Sequence, residues 1–357
     1  MKIAVIVGTR PEIIKMAPVV RELENNGVNY FILHTGQHYS YNLDRVFFEQ
    51  LRLQDAKYNL EIGSGSHAEQ TGKILIGVGK VLEIEKPDIV LVEGDTNSVF
   101  AGALAAVKLH ISVGHVEAGL RSYDKQMPEE INRTLTDHCS DYLFAPTPQA
   151  REILLGEGIV EDKVFVTGNT IVDAVYQNLE IARETEDFLN TLHLTPSEYF
   201  LVTLHRQENV DDRARFAPIL EGLDRLASEF GLPVIYPIHP RSQKMMAEFG
   251  LKPQNVKLIE PTDFLRFLQL ESNARLILTD SGGVQEEACV LKVPCVTLRD
   301  NTERPETIDV GANILAGASS DKMLACVKVM ISRENNWINP FGDGKAGKRI
   351  VEIITGD

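Results

Sequence analysis

Two doubly wound α/β domains are the architecture this sequence predicts, and three observations carry the prediction. Short β-branched runs alternate with longer stretches of helical period, the pattern of a parallel sheet covered on both faces by helices. That pattern runs out and restarts around residues 168–173. At 357 residues the chain also exceeds the usual size of one hydrophobic core. A single large α/β barrel is the alternative at this length.

The first strand is expected over 2–7 and runs into "VGTRPEIIKMAPVV". There Gly8 suits the turn, Pro11 the first helical turn, and Ile13, Ile14, Ala17 and Val20 share an inward face. Arg10 and Lys15 then lie at or near a helix N-terminus, where free N–H groups already favour anions. The turn lacks the GxGxxG spacing, so a nicotinamide cofactor is not indicated. Further strands are expected over 29–34 and 89–93, the latter opening "VEGDTNSVFAGALAAVKL" with Asp95 at its tip. Asp95 reads either as the cap of the small-residue helix that follows or as a carboxylate turned to a ligand.

The strand expected over 111–116 leads into "HVEAGLRSYDKQMPEEINR". Glu117, Asp124, Glu129 and Glu130 gather there among His115, Arg121, Lys125 and Arg133. An ion pair between Glu117 and Arg121 is the plain structural reading of part of that cluster. Strands over 142–145 and 164–167 complete the first set.

The polar, acidic stretch "ETEDFLNTLHLTPSEY" suits a surface connection. A second set of strands is then expected over 200–204, 234–237, 256–259, 276–279 and 296–298. Ligands of open α/β sheets bind beyond the carboxyl ends of the strands, so the residues at those tips carry most weight. They are His205 and Arg206, His239, Ser281-Gly282-Gly283 with Glu286 and Glu287, and Arg299, Glu303 and Arg304. The glycine pair lets a ligand approach the backbone, and Ser281 with the helix N–H groups suits phosphate. The plain reading of Ser281 is a helix cap. The last stretch, "GDGKAGKRIVEIITGD", places Ile350, Val351, Ile353 and Ile354 on one face of a terminal helix.

Composition excludes several classes. A net charge of −15 argues against a nucleic-acid partner, which needs a basic face. The longest apolar runs fall far short of the roughly 20 residues needed to cross a bilayer. The N-terminus enters a strand directly, without the composition of a secretory leader, so a cytoplasmic location is expected. Four cysteines without CxxC spacing point to reduced, buried thiols and give no metal site.

Taken together, "GTRPEIIK", "GDTNS", "HVEAGLRS", "PEEINR", "LHRQEN", "IHPR", "LTDSGGVQEEA" and "RDNTERPE" resemble the non-hydrolysing UDP-N-acetylglucosamine 2-epimerases over nearly the whole chain. The resemblance implies a GT-B fold: two Rossmann-like domains facing across a cleft, with the C-terminal helix returning to the first. The domains would be 1–169 joined by 342–357, and 170–341. It implies that Ser281, Gly282 and Gly283 meet the diphosphate and Glu287 the ribose. Arg304, His205 and Arg10 would approach the diphosphate, and Arg133 and His239 would join the substrate-binding set. Lys15, Asp95, Glu117 and Glu129 match positions tied to catalysis near the sugar, and His205 belongs with them.

The reaction so implied exchanges UDP-GlcNAc and UDP-ManNAc without NAD and without metal. UDP is eliminated to a 2-acetamidoglucal and then re-added, in the service of surface polysaccharide precursors. A homodimer is implied as well. One departure stands out: many bacterial members carry Gln-His-x-x-Met after the second strand, tied to a regulatory UDP-GlcNAc site. Here Gln37 and His38 are followed by Tyr41 at the methionine position. Rival readings are an epimerase of another UDP-sugar, such as a diacetamido-uronic acid or a 6-deoxy sugar, a glycosyltransferase of the same fold, and a non-catalytic UDP-sugar sensor.

Overall fold

The computed structural model describes residues 1–37 and 41–356, the side chains of 41–44 excepted. The chain divides into two compact units, Met1–Gln177 with Phe341–Asp357, and Asn178–Pro340.

In the first unit the chain alternates strand and helix. It begins β1 (Lys2–Val7), α1 (Arg10–Asn25), β2 (Asn29–His34), α2 (Tyr41–Gln50), β3 (Tyr58–Asn59) and α3 (His67–Glu85). It continues through β4 (Ile89–Glu93), α4 (Asn97–Lys108), β5 (Ser112–Val116), α5 (Pro128–Cys139), β6 (Tyr142–Ala145), α6 (Pro148–Gly156) and β7 (Val164–Val166). The change of unit at Gln177 falls inside α7 (Thr170–Arg183). The strands form one parallel sheet in the order β3-β2-β1-β4-β5-β6-β7.

The second unit begins α8 (Phe188–Leu192), β8 (Phe200–Thr203), α9 (Gln207–Val210), α10 (Arg213–Phe230), β9 (Val234–Pro237), α11 (Pro240–Phe249) and β10 (Val256–Ile259). After these come α12 (Phe264–Asn273), β11 (Leu276–Thr279), α13 (Gly282–Leu291), β12 (Cys295–Thr297), α14 (Pro305–Asp309), β13 (Asn313–Leu315) and α15 (Ser320–Ser332). Its strands form a second parallel sheet, β10-β9-β8-β11-β12-β13. The chain then re-enters the first unit, where α16 (Ala346–Thr355) packs on α1.

Both faces of inner strands such as β1, β4 and β11 are buried, which is why they read as continuous apolar runs rather than alternating ones. In the second sheet Phe200, Val202, Leu276 and Leu278 enter one core with α10 and α15 residues. Their neighbours Leu201 and Ile277 enter the other core with Leu189 and Leu270. The period of two assigns alternate residues to opposite faces.

The eleven strands expected from sequence are all present, with shifts of one residue at a few ends: β5 opens at Ser112, β7 closes at Val166, β8 at Thr203, and β12 covers Cys295–Thr297. Two further strands, β3 and β13, have no sequence signal, being edge segments of 2 and 3 residues whose extended form depends on the neighbour they pair with. The acidic stretch at 184–199 is a correction of a different kind. It holds α8, and Leu189, Leu194 and Tyr199 are buried in the core of the second unit. Its charge sits on the outward side, and average composition hides the inward one.

The order of strands fixes where function is placed. In each sheet the direction of winding reverses beside the first strand, between β1 and β4 and between β8 and β11. Chain leaving two such tips in opposite directions opens a crevice for a ligand.

Candidate active site

At the tips of β1, β4 and β5, the first unit assembles a buried group of carboxylates around one ammonium. Lys15 on α1 forms an ion pair and hydrogen bond with Glu117, and its Nζ lies 3.3 Å from Glu93 Oε1. All three side chains are buried. Asn169 Nδ2 donates to the same Glu117 oxygen at 3.3 Å. Glu117 takes φ +68°, a left-handed backbone that a residue with a Cβ adopts at a cost of about 1–3 kcal/mol, and such strain collects at functional sites.

Glu12, one turn before Lys15 on α1, is the third buried acid of this group. Its carboxyl accepts from Gly8 N at 2.6 Å, Thr9 Oγ1 at 2.9 Å and Thr96 Oγ1 at 2.7 Å. It thereby stitches the turn after β1 to the turn after β4. Burial pushes the Glu12 carboxyl up to about 7, despite those donors. Burial also drives Glu93 well above the usual carboxylate range; Lys15 opposes the shift, and Glu117, Glu12 and Asp95 reinforce it.

Asp95 does not cap α4. That place is taken by Thr96, whose hydroxyl accepts from Ser98 N and Val99 N. Asp95 instead pairs with Arg133 on α5, which also bonds Glu130 Oε2 at 2.8 Å. Arg121 turns away from Glu117 altogether, to Asp137 at 2.7 Å and Glu157 at 2.6 Å, so the plain ion-pair reading of Glu117 fails. Asp137 in turn accepts from Gly119 N and bonds His115 Nδ1 at 2.7 Å, while His115 Nε2 donates to Gly94 O at 2.8 Å. This frame, with His115 and Asp137 buried at its centre, joins the loops that carry Asp95 and Glu117.

Glu129 sits on the first turn of α5, half-buried, and its side chain has neither hydrogen bond nor ion pair among the described residues. Its neighbour Glu130 takes the structural role. Burial would raise Glu130, but Ser122 and Tyr123 N–H groups, the Ser122 hydroxyl and Arg133 lower it instead. Arg10 lies at the start of α1 with its guanidinium 4.7 Å from the Phe47 ring centroid. Gln37 bonds Ser98 N and Oγ through its side chain; His38 and the Tyr41 side chain lie outside the described residues.

The second unit gathers the remaining candidates at the tips of β8, β9, β11 and β12. The fully buried Asp280 accepts from the backbone N–H groups of His205 and Arg206, and His205 Nδ1 lies 3.2 Å from it. Burial would raise Asp280, but the His205 bond and charge, the Arg206 N–H and the Asn209 amide hold it below its usual value. The His205 and His239 rings lie 5.8 Å apart. Burial and then the His205 and Arg241 charges lower the pKa of His239.

Ser281 caps α13, accepting from Val284 N at 3.5 Å. A Cβ added at Gly282 or Gly283 would meet no protein atom closer than 3.9 Å. Packing therefore does not require glycine there, and the backbone is open to close approach. Arg304 Nε lies 2.6 Å from Glu286, and Glu303 holds Arg299 in a two-pronged pair at 2.7 and 2.8 Å. Burial would raise Glu303, yet Arg299 lowers it to about 2. Glu287 is buried on α13 against Glu271 of α12.

Of the sequence candidates, the structure thus joins Lys15 with Glu117, Asp95 with Arg133, and His205 with His239, and sets Ser281, Gly282, Gly283 and Glu287 along the start of one helix. Sequence reasoning passed over Glu12, Glu93, Asp137 and Asp280. Glu93 and Asp280 stand at strand tips, and Glu12 is three residues from Lys15 on one helical face, so the spacing signal was present. Chemically, the first cluster can accept and return a proton, and the second can hold an anion.

The class so defined is an α/β enzyme built on two parallel sheets. A model of the UDP-N-acetylglucosamine 2-epimerase family matches residues 21–355. The UDP-N-acetylglucosamine 2-epimerase of Methanocaldococcus jannaschii is 58% identical, over 99% of each chain, and that of Methanococcus maripaludis 55%, over 100% of this chain and 99% of the other. A crystal structure of the M. jannaschii enzyme in complex with UDP-GlcNAc and UDP superposes with a TM-score of 0.92, at 57% identity and with both chains fully covered. This chain belongs to the UDP-N-acetylglucosamine 2-epimerase family, and its two sheets carry the GT-B type of fold.

Proposed function

We propose that this protein is a non-hydrolysing 2-epimerase that interconverts UDP-GlcNAc and UDP-ManNAc. The observation that carries the reading is the buried set Glu12, Glu93 and Glu117 about Lys15, in which burial raises two of the acids. Such a set offers both ionised and protonated carboxyls near neutral pH, which inversion of a C–H centre needs.

In the proposed reaction a carboxylate of the first unit takes the C2 proton as the C1–O bond breaks. The bonding electrons form the C1=C2 bond of 2-acetamidoglucal, and UDP leaves. A proton then returns to C2 on the opposite face while UDP re-adds at C1. Lys15, Asp95, Glu117, Glu129 and His205 are assigned to this chemistry, with Arg133 holding Asp95. The second unit takes the UDP portion, with Ser281, Gly282 and Gly283 at the diphosphate, Arg304 and His239 adding charge or hydrogen bonds, and Glu287 on the ribose hydroxyls; Arg10 of the first unit supports the diphosphate. Cations around the departing diphosphate stabilise the charge that develops there.

We assign the protein to the cytoplasm, to supply of surface polysaccharide precursors, and to a homodimer. Among the described residues no helix is long and apolar enough to cross a membrane, which fits the first of these. Exposed apolar side chains on α5 (Ile131, Leu135) and α3 (Ile76, Ile84) support the last.

The deciding experiment is incubation with UDP-GlcNAc in deuterium oxide. Deuterium at C2 of both epimers is expected; a product mixture without label at C2, or no turnover with any UDP-HexNAc, overturns the reading. Parallel incubation with the diacetamido-uronic acid substrate separates the family's alternative specificity.

A further inference from the structure

Among the described residues, one buried acid stands apart from those discussed so far. Glu271, on α12, is fully buried, both its carboxyl oxygens are without a hydrogen-bond partner among the described residues, and its neighbouring charge is Glu287 on the adjoining helix α13. No cation among the described residues is paired with it. The other titratable groups near it are neutral hydrogen donors rather than cations. Tyr199, just before β8, spends its hydroxyl on Leu270 O, and Cys295 of β12 is a buried thiol.

A carboxylate in such surroundings loses its water without gaining a counter-charge, so the acid keeps its proton. Two carboxyls can hydrogen-bond only when one of them carries a proton, and a neutral acid has a single O–H to give. Burial and then the charge of Glu287 both raise the proton affinity of Glu271.

We propose that Glu271 is a positioning residue for ribose recognition: as a neutral acid it donates a hydrogen bond to the Glu287 carboxylate and fixes the orientation in which Glu287 meets a vicinal diol. The inference rests on the proposed reading of Glu287 as the ribose ligand. It assigns Glu271 no contact with substrate.

Calorimetric titration of the full chain with UDP and with 2′-deoxy-UDP tests it. Wild type is expected to prefer UDP by about tenfold, the scale of one charge-assisted hydrogen bond. Glu271→Gln keeps that ratio within about twofold, because its amide donates where the acid O–H did, whereas Glu271→Leu reduces the preference to about twofold or less. A folded Glu271→Leu protein with the wild-type ratio overturns the proposal. No preference in wild type overturns the ribose reading of Glu287 itself, and this inference with it.

Should Glu271→Leu not fold, the pH profile decides. In wild type the ratio is expected to fall as alkaline pH removes the Glu271 proton, and to stay flat in Glu271→Gln; titration of the uracil ring cancels between the two ligands. Identical profiles overturn the proposal.

Discussion

Lys15 sets the charge balance of the first cluster, since it is the cation in contact with both Glu93 and Glu117. Replacing it by methionine keeps the stem and removes the charge, leaving two buried acids to repel each other. Turnover by Lys15→Met is expected to fall about 100-fold or more in a steady-state epimerisation assay. Glu12 gives a separate test through stability. Its folded pKa of about 7 lies above the unfolded carboxylate value, so the folded state holds a proton that the unfolded state gives up. Wild type therefore loses stability as pH rises from the unfolded pKa to about 7, by about 3 kcal/mol, with no further loss above that. Glu12→Gln cannot titrate. Chemical denaturation of the two proteins across that pH window should show the variant gaining on wild type by this amount, and parallel curves would remove Glu12 from the account.

At the scale of elements, the start of α13 separates what the fold needs from what the ligand needs. A methyl at Gly282 or Gly283 has room in the protein. Gly282→Ala and Gly283→Ala should melt at or slightly above the wild-type temperature, since alanine favours the helix by about 0.5–1 kcal/mol. UDP affinity should nevertheless fall at least about tenfold, as the methyl occupies the space that a diphosphate takes over the N–H groups. The C-terminal helix makes the opposite point. A Cβ added at Gly347 would stand 3.0 Å from the backbone of Pro18, so here glycine serves the docking of α16 on α1.

For the whole molecule, the proposed dimer sets what a solution measurement reads. Light scattering after size exclusion should give a mass near twice 39.7 kDa. Ile131 and Leu135 lie one turn apart on α5 and are both about half exposed, so Ile131→Glu with Leu135→Glu should return a monomer if α5 lines the contact. A wild-type monomer would remove the dimer from the proposal. The strongly negative chain gives no help to such association, so an interface must rest on apolar contact.

Strand and helix placement was largely legible because buried parallel strands write uninterrupted apolar runs such as "KIAVIV" and "RLILT", and helices write their own period. The tips of those strands also marked most of the candidate residues, since direction of winding makes them the place for a ligand. What sequence alone did not contain was the partner of each charge. Glu117 had Arg121 four residues away and Lys15 a hundred residues away, and the distant one won. Asp95 left the cap to Thr96 and took Arg133 from another helix. Glu130, not its neighbour Glu129, became the anchored acid of α5. Chain chemistry determines which segments fold into strands and helices through local period and burial; which acid keeps a proton is decided only when the tertiary structure removes water and supplies, or withholds, a cation.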